Sequence, residues 1–404
     1  MKKKWTIIAL STTLTLTLIA GGFAANNGNI QAAQSAPSFR DLSGHWAQAS
    51  IDIAVKNGIM KGYPDGTFKP EGLITRAELM KVLAVTVALN VDEPTAGKPW
   101  YTAYQNALSQ AGIQLASDFS GDVNKPATRL ELAKLSVRAS NADYRSKKLS
   151  SDELLFRAVN AGLLSRTGAK AESIEPAGTT TRAQAAVLAA RLLKLEKGEK
   201  LAVDQGASSA AEMAWHKHNF ITMIGQEDMV KLPYSITINP RYKVTIEGLT
   251  ILDPADKQGY LIEYLEGAQY GGEADPTKGG YVFAYKLKGE SLGLNPGHDQ
   301  LIRNSFYMLR ERDYGDVTLN RKYHFRDGKL IDRTGLYENK TFLNLEKKGT
   351  IGYDYYYTFV SKSYVKDQIK QYGGFPIHLE KFSGNLGDIN NQIFLTAVKD
   401  KWAK

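Results

Sequence analysis

Three arginines, Arg76, Arg129 and Arg182, stand in the same four-residue pattern at three places in the chain. Each follows a threonine and lies two positions before a glutamate or glutamine. The outer residues of this pattern are those of a helix capping box, which has no use for the arginine. A guanidinium group binds a carboxylate through two parallel hydrogen bonds, and amides at a helix N-terminus also favour anions. The pattern therefore predicts three anion receptors beside free helix amides; the structural alternative is a salt bridge to a neighbouring segment.

Each arginine belongs to a longer repeat that reads as helix, loop, helix. Trp46 stands as far before Gly58 as Trp100 stands before Gly112, and Gly162 takes the same place in the third copy. A glycine directly after a helical stretch is typical of a left-handed helix end. We assign the copies to residues 39–90, 91–142 and 143–195.

The first copy resembles the S-layer homology family nearly throughout, and the other two are degenerate copies in register with it. The resemblance extends from residue 39 to about residue 195 and says nothing about the rest of the chain. It is carried by Phe39-Arg40-Asp41, His45-Trp46-Ala47, Gly58-Ile59, Gly62-Tyr63-Pro64-Asp65-Gly66-Thr67-Phe68-Lys69-Pro70 and Ile74-Thr75-Arg76-Ala77-Glu78.

This resemblance implies an all-α, pseudo-threefold bundle whose grooves bind secondary cell wall polysaccharide, often one with a pyruvate ketal on N-acetylmannosamine. The three arginines would then meet the ketal carboxylate. Trp46 or Trp100 would cover the apolar face of a sugar ring, unless these tryptophans are core residues. Asp41 and Lys61 would hydrogen-bond hydroxyl or acetamido groups.

The third copy departs from the family pattern. It has no tryptophan at the position of Trp46, lacks the Tyr-Pro-Asp-Gly loop and carries Gln184 in place of glutamate. We therefore expect grooves of unequal strength, with those that use Arg76 and Trp46 the strongest.

The N-terminus reads as an export signal over residues 1–24, with three lysines, an uncharged apolar stretch and small residues near Ala24. Cleavage near Ala33 and an uncleaved anchor are the alternatives, and no later segment reads as a membrane span.

The net charge of +9 lies mostly in the first half of the chain. This mild bias predicts no nucleic-acid partner. The absence of cysteine excludes thiolate metal sites and cysteine nucleophiles.

After a predicted linker at residues 196–211, the composition changes. All but four of the 21 tyrosines lie beyond residue 230, and alternating polar and apolar residues predict strands. Turns at Asn239-Pro240 and Asp327-Gly328 predict hairpins, and one helix is expected over 298–312. We expect residues 212–404 to form a mainly antiparallel β barrel or sandwich, of no family that we recognise.

Catalytic chemistry is hard to find in this second half. His216 and His218 are a weak metal pair without a third ligand, and Glu263 with Glu266 would be a glycosidase pair only if their distance allowed it. The sequence therefore predicts no catalytic residue, no metal and no cofactor.

The function expected is that of a secreted, S-layer-associated surface protein. Three repeats would hold it on anionic wall polysaccharide without a covalent bond, and its β domain would bind a ligand or serve a structural role. The alternative is a wall-bound hydrolase of polysaccharide or peptidoglycan with its active site in residues 212–404.

Overall fold

The computed structural model describes a helical region followed by an antiparallel sheet region. The predicted signal peptide and the predicted helix over 298–312 lie outside the described residues. These are 39–119, 121–239, 242–266, 268–271, 279–293, 314–318, 323–326, 329–332, 348–349, 351–380 and 392–396.

Each of the three repeated segments contributes two α-helices, and a short 3₁₀ helix, Ala142–Tyr144, precedes the third pair. The helices are α1 Gln48–Lys56 and α2 Arg76–Thr86, α3 Thr102–Gln110 and α4 Arg129–Ser140, and α5 Ser151–Asn160 and α6 Arg182–Glu196.

The second helix of each pair begins at the predicted capping box. Thr75, Thr128 and Thr181 each accept a hydrogen bond from the backbone N–H three residues later, at 3.2 Å in all three cases. The Glu or Gln side chain at that third position bonds back to the threonine N–H. The predicted helix-ending glycines have positive φ angles, such as +69° at Gly58. Local sequence therefore sets both ends of the loop between the paired helices.

The three segments are joined by a closed ring of backbone hydrogen bonds among the residues that precede the cap threonines. Ile74 N–H donates to Thr180 O at 3.0 Å, Thr180 N–H donates to Ala127 O at 2.8 Å, and Ala127 N–H donates to Ile74 O at 2.9 Å. Around this ring α1 packs on α6, α3 on α2 and α5 on α4. One continuous apolar core, which includes Phe68 and Phe156, lies between the helices.

The segment after α6 differs from the predicted linker at 196–211. Residues from Gln205 onward belong to a helix, α7 Gln205–His216, which packs against α5. Asp204 caps it by accepting from Ala207 N–H. Its first residues are small and buried because the helix lies close against its neighbours. A short helix, α8 Phe220–Ile224, follows.

The β region is built on an open six-stranded antiparallel sheet with the strand order β1-β2-β4-β8-β5-β3. Of the two expected forms, the barrel was therefore wrong: among the described residues the two outer strands, β1 and β3, do not close on each other. The strands of this sheet are β1 Tyr234–Asn239, β2 Tyr242–Leu252, β3 Gln269–Gly271, β4 Gly280–Ser291, β5 Tyr314–Thr318 and β8 Ile351–Ser361.

Both predicted hairpins are confirmed. β1 pairs with β2, and β6 Tyr323–Arg326 pairs with β7 Lys329–Asp332 in a separate two-stranded sheet. A further strand, β9 His378–Glu380, pairs with β10 Gln392–Phe394. One face of the main sheet buries apolar side chains such as Phe283 against α8 and the last helix, α9 Lys362–Tyr372.

No helix in the described part of the chain is both long enough and apolar enough to cross a bilayer.

Candidate functional site

Two arginines from different segments meet at Ser165, in the loop that follows α5. Arg129, at the start of α4, donates from Nη2 to the carbonyl of Ser165 at 2.7 Å and from Nε to the carbonyl of Ile174 at 2.6 Å. Arg191, on α6, donates to the hydroxyl of Ser165 at 3.2 Å and to the carbonyl of Leu163 at 3.0 Å. Neutral backbone and hydroxyl groups thus hold the two guanidinium groups close to each other.

The electrostatic environment of this pair is unusual. Arg129 is only 4% exposed. Burial lowers the pKa of Arg129, Glu175 acts in the opposite direction, and the charge of Arg191 lowers it further. Burial likewise lowers the pKa of Arg191, against the influence of Asp204. Within the described ranges neither arginine has a carboxylate at salt-bridge distance. Because arginine keeps its charge in proteins, the site holds two positive charges with no carboxylate in direct contact among the described residues.

These arginines line a groove of about 440 Å³, which we call the Trp46 groove. Trp46, which lies two residues before the start of α1, is 65% exposed and lines this groove. Thr181 and Gln184, from the third capping box, line another part of its wall. The groove therefore combines an exposed aromatic residue, one buried and one partly buried guanidinium group, polar side chains and a single carboxylate, Glu71, which is a suitable combination for an acidic sugar.

Arg166 adds a third cation to the wall of the Trp46 groove, but this one is paired. Its guanidinium group forms two hydrogen bonds with the carboxylate of Asp204, one of them from Nε at 2.8 Å. It also donates to the carbonyl of Gln258 at 3.1 Å, so it links the repeat region to the β region. This cation is largely neutralised within the protein.

Arg76 occupies the same position of the repeat as Arg129, yet its surroundings differ. Its Nε and Nη2 both contact the carboxylate of Glu131, at 3.0 and 2.8 Å, and its Nη1 donates to the carbonyl of Asp122. This is the salt bridge to a neighbouring segment that the sequence left open as an alternative. Arg76 does not line the Trp46 groove, so the expected combination of Arg76 with Trp46 is not formed; Arg129 stands there instead.

Arg182 resembles Arg129 in that backbone carbonyls, and not a carboxylate, hold its guanidinium group. It donates to the carbonyls of Phe68 and Lys61, at 3.0 and 2.8 Å, and its guanidinium carbon lies 4.9 Å from the centre of the Tyr63 ring. No salt bridge to Arg182 occurs among the residues that the structure describes. The side chain of Lys61 is exposed beside it. Trp100 is 49% exposed and meets the rings of Tyr101 and Tyr104 edge-on.

Asp41 lies in a supporting position. Its carboxylate accepts from the backbone N–H groups of Phe68 and Lys69, at 2.9 and 2.8 Å. Burial acts to raise the pKa of Asp41, but these amide hydrogen bonds outweigh it and lower the pKa below its usual value. Asp41 therefore fixes the loop whose carbonyls hold Arg182.

The helix amides expected to be free are occupied. At the start of α4, the N–H groups of Arg129 and Leu130 donate to the carbonyls of Gly178 and Pro176, and that of Glu131 donates to its cap threonine. The expectation of anion-binding amides at these N-termini was wrong, because the segments use them to hold one another. Any anion in the groove must rely on side chains.

Sequence reasoning missed Arg191, although a signal was present. Arg191 lies nine residues after Arg182, and Arg138 lies nine residues after Arg129. At 3.6 residues per turn this spacing places the two arginines of one helix on opposite sides, so that they serve different grooves. Arg138 is buried in a 2.6 Å salt bridge with Asp118.

The candidate residues of the β region form no comparable site. His218 contacts the buried Glu212 at 3.1 Å, and His216 stacks on His218 with ring centres 4.8 Å apart. Burial and the neighbouring His218 lower the pKa of His216 to about 4. Glu263 and Glu266 are exposed in and beside a short 3₁₀ helix, Ile262–Leu265. The described residues contain no group of three or more side chains placed to hold a metal ion.

Comparison with known proteins bears on the repeat region. Residues 38–80, which include Trp46 and Arg76, match the family model of the S-layer homology domain. The chain carries an S-layer homology domain. The match covers the first of the three segments, so Arg129 and Arg182 lie outside it.

Several curated proteins are similar to parts of the chain. Over 242 residues it is 31% identical to the outer membrane protein SlpA of Deinococcus radiodurans, a match that covers 57% of this chain and 17% of that protein. Over 198 residues it is 27% identical to an S-layer protein of Bacillus thuringiensis subsp. finitimus, covering 44% and 23%. Over 44 residues it is 48% identical to the cellulosome-anchoring protein of Acetivibrio thermocellus, covering 11% and 10%.

The chain therefore spans less than a quarter of the length of each of these relatives. With the S-layer homology domain, these similarities identify it as a cell-surface, cell-wall-associated protein.

Proposed function

We propose that residues 39–195 are three S-layer homology repeats arranged about a pseudo-threefold axis. The closed ring of hydrogen bonds through Ile74, Ala127 and Thr180 supports this arrangement, since each repeat gives one bond and receives one at the same position. The three capping boxes at equivalent positions support it as well. In this arrangement the Trp46 groove takes residues from all three repeats.

We further propose that the bundle holds the protein on the cell wall by binding an anionic secondary cell wall polysaccharide. The observation that carries this proposal is the pair of guanidinium groups of Arg129, which is buried, and Arg191, which is partly buried; both are bound to Ser165 and neither has a carboxylate at salt-bridge distance in the described chain. A buried charge without a counter-ion is costly. An acidic group from the wall would supply the missing charge, and the face of Trp46 would cover the attached sugar ring.

The sites contribute unequally in this proposal. The Trp46 groove is the main site, while Arg182, Lys61 and Trp100 provide a weaker second one. Asp41 acts on the second site through the loop that it fixes. Arg76 contributes mainly to stability, because Glu131 already neutralises it. Weak sites on one polymer still add to retention through effective concentration.

The acidic group that we propose is a pyruvate ketal, since its single carboxylate supplies a negative charge to the two guanidinium groups and its sugar matches the indole face. The test uses the whole secreted chain and one batch of purified wall polysaccharide, half of it treated with mild acid to remove the ketals. We expect retention on the untreated polymer and loss of retention on the treated one. Equal binding to both would contradict an acidic ligand, and binding to neither would contradict the anchoring role.

Secretion by the predicted signal, residues 1–24, belongs to the same proposal. So does the display of the β-rich part, residues 212–404, as a ligand-binding or structural domain. The second candidate function is a wall-bound hydrolase with its active site in that part, and no feature of the described residues favours it. Clearing of cell-wall material in a zymogram by the isolated full chain would establish it.

A further inference from the structure

A second cavity, of about 560 Å³, lies between α7 and one face of the β sheet. It exists because small residues stand on both of its walls. Ala210 and Ala214 face it from α7, while Gly248 on β2 and Ala284 on β4 face it from the sheet. Gly248 has no side chain to fill this space, and a Cβ there would lie only 3.1 Å from the carbonyl oxygen of Lys217. We call this space the α7 pocket.

The α7 pocket is too large to be a packing defect. Protein interiors leave few voids larger than a water molecule, whereas sites for small ligands have volumes of roughly 300–1,000 Å³. Its wall is mostly apolar, and Leu252 and Leu261 are buried in it. Ala214, Lys217 and Pro233 are exposed members of the wall, so a ligand can enter from solvent on that side.

Charged groups are concentrated at one end of the pocket, around Gly248. Lys286 pairs with Gly248 across the β2–β4 ladder, and its Nζ lies 3.2 Å from the carboxylate of Glu247. Lys217 joins this end through its carbonyl, which accepts from Leu249 N–H at 2.9 Å. Its ammonium group has no carboxylate partner within the described part of the chain. Two lysines and one glutamate leave this end with a net positive charge.

The other end, around Leu252, is apolar and carries no net charge of its own. Leu252, Leu261, Tyr260 and Tyr264 line it. Burial raises the pKa of both tyrosines to about 12, so their hydroxyl groups stay neutral. Gly248 and Leu252 are four residues apart on one strand, a separation of about 13 Å. The pocket is therefore elongated, with a positive head and an apolar tail.

We propose that the α7 pocket binds a slender amphipathic anion, a medium-chain carboxylate. The hydrocarbon chain lies among Leu252, Leu261 and Ala284, and the carboxylate meets Lys217 and Lys286. This site is separate from the Trp46 groove and does not depend on wall binding.

The test is calorimetric titration of the whole secreted chain with decanoate and, separately, with the neutral decanol. We expect saturable binding of one decanoate per chain. Lys286→Gln should weaken decanoate binding by roughly tenfold, the effect of losing one charged hydrogen bond, and leave decanol binding unchanged. Lys243→Gln is the matched control, since Lys243 is also a β2–β4 lysine beside a glutamate but lies outside the pocket. It should behave as the wild type does.

Two filling variants locate the site. Ala284→Phe occupies the pocket from the sheet, and Ala214→Trp occludes it from an exposed position where a larger side chain does not disturb the core. Each should abolish decanoate binding, and Ala214→Trp should do so at an unchanged melting temperature. Decanoate binding that persists in a folded Ala214→Trp protein, or no binding in the wild type, would overturn the proposal. Equal weakening of decanoate and decanol by Lys286→Gln would overturn the assignment of the head group.

Discussion

The Trp46 groove and the corresponding region around Arg76 are built from the same positions of the repeat but differ in charge. Arg129 in the groove and Arg76 elsewhere both follow a cap threonine. The residue that faces Arg129 across the segments is Gln184, whereas the equivalent residue facing Arg76 is Glu131. The arginines that follow nine residues later in α4 and α6 also differ in whether they are paired. Arg138 on α4 forms a salt bridge with Asp118, whereas Arg191 on α6 has no carboxylate partner in the described chain.

This position distinguishes Arg76, whose guanidinium group is held in an ion pair, from Arg129, whose guanidinium group is held by backbone carbonyls. Glutamate and glutamine cap the helix equally well, because either side-chain oxygen accepts the hydrogen bond from the threonine N–H. Around Arg76 the glutamate also neutralises the arginine of the neighbouring segment, which the glutamine of the Trp46 groove cannot do. Glutamate alone is not sufficient, since Arg182 is held by backbone carbonyls and forms no salt bridge with Glu78 among the described residues.

The largest expected difference is between Arg129→Gln and Arg76→Gln in binding to wall polysaccharide. Loss of a buried charged contact typically costs about 2–5 kcal/mol. Arg129→Gln should therefore weaken binding by roughly a hundredfold, as measured by calorimetry on purified polymer. Arg76→Gln should change the affinity little. Similar losses in two folded variants would show that the two regions do not differ as receptors.

For the stability of the fold, we expect the region around Arg76 to matter more than the Trp46 groove. Glu131→Gln keeps the capping box but leaves Arg76 buried without a partner, so it should lower the free energy of unfolding by about 3 kcal/mol. Glu78→Gln is the matched control, because Glu78 caps α2 and has no ion pair among the described residues. Urea denaturation measures both. A loss in the control as large as that in Glu131→Gln would assign the effect to the cap and not to the ion pair.

Trp46→Ala should have a moderate effect on binding and none on stability. The indole is largely exposed, so its removal leaves the core intact, while loss of an aromatic contact should weaken polysaccharide binding by roughly tenfold. Trp100→Ala should have a smaller effect, since Trp100 belongs to the weaker site. Melting curves show whether the fold is preserved, and a larger effect for Trp100 would reverse the ranking of the grooves.

The smallest expected effects concern the caps themselves. Thr75→Ala and Thr181→Ala should each lower the free energy of unfolding by about 1 kcal/mol, because the two capping boxes have the same geometry. Unequal losses in urea denaturation would mean that the repeats differ in more than their charges.

Local features of the fold could be predicted from the sequence. The capping boxes at Thr75, Thr128 and Thr181 and the hairpin at Asn239 depend on residues close together in the chain. The contact of Arg129 with the loop at Ser165 could not be predicted, because helical periodicity gives no information about which faces of different segments meet. Helix α7 was missed because small residues resemble a linker until their packing partner, α5, is known. The open sheet was missed because alternation of polar and apolar residues does not specify strand order.

The most direct test of the central claim is the affinity of Gln184→Glu for purified wall polysaccharide. This change places in the Trp46 groove the carboxylate that Glu131 provides to Arg76, and it keeps the cap. We predict that affinity falls by roughly tenfold or more while the melting temperature stays the same or rises, because the new carboxylate competes with the ligand for Arg129. An unchanged or higher affinity would contradict the assignment of the unpaired arginines as the receptor for an acidic wall sugar.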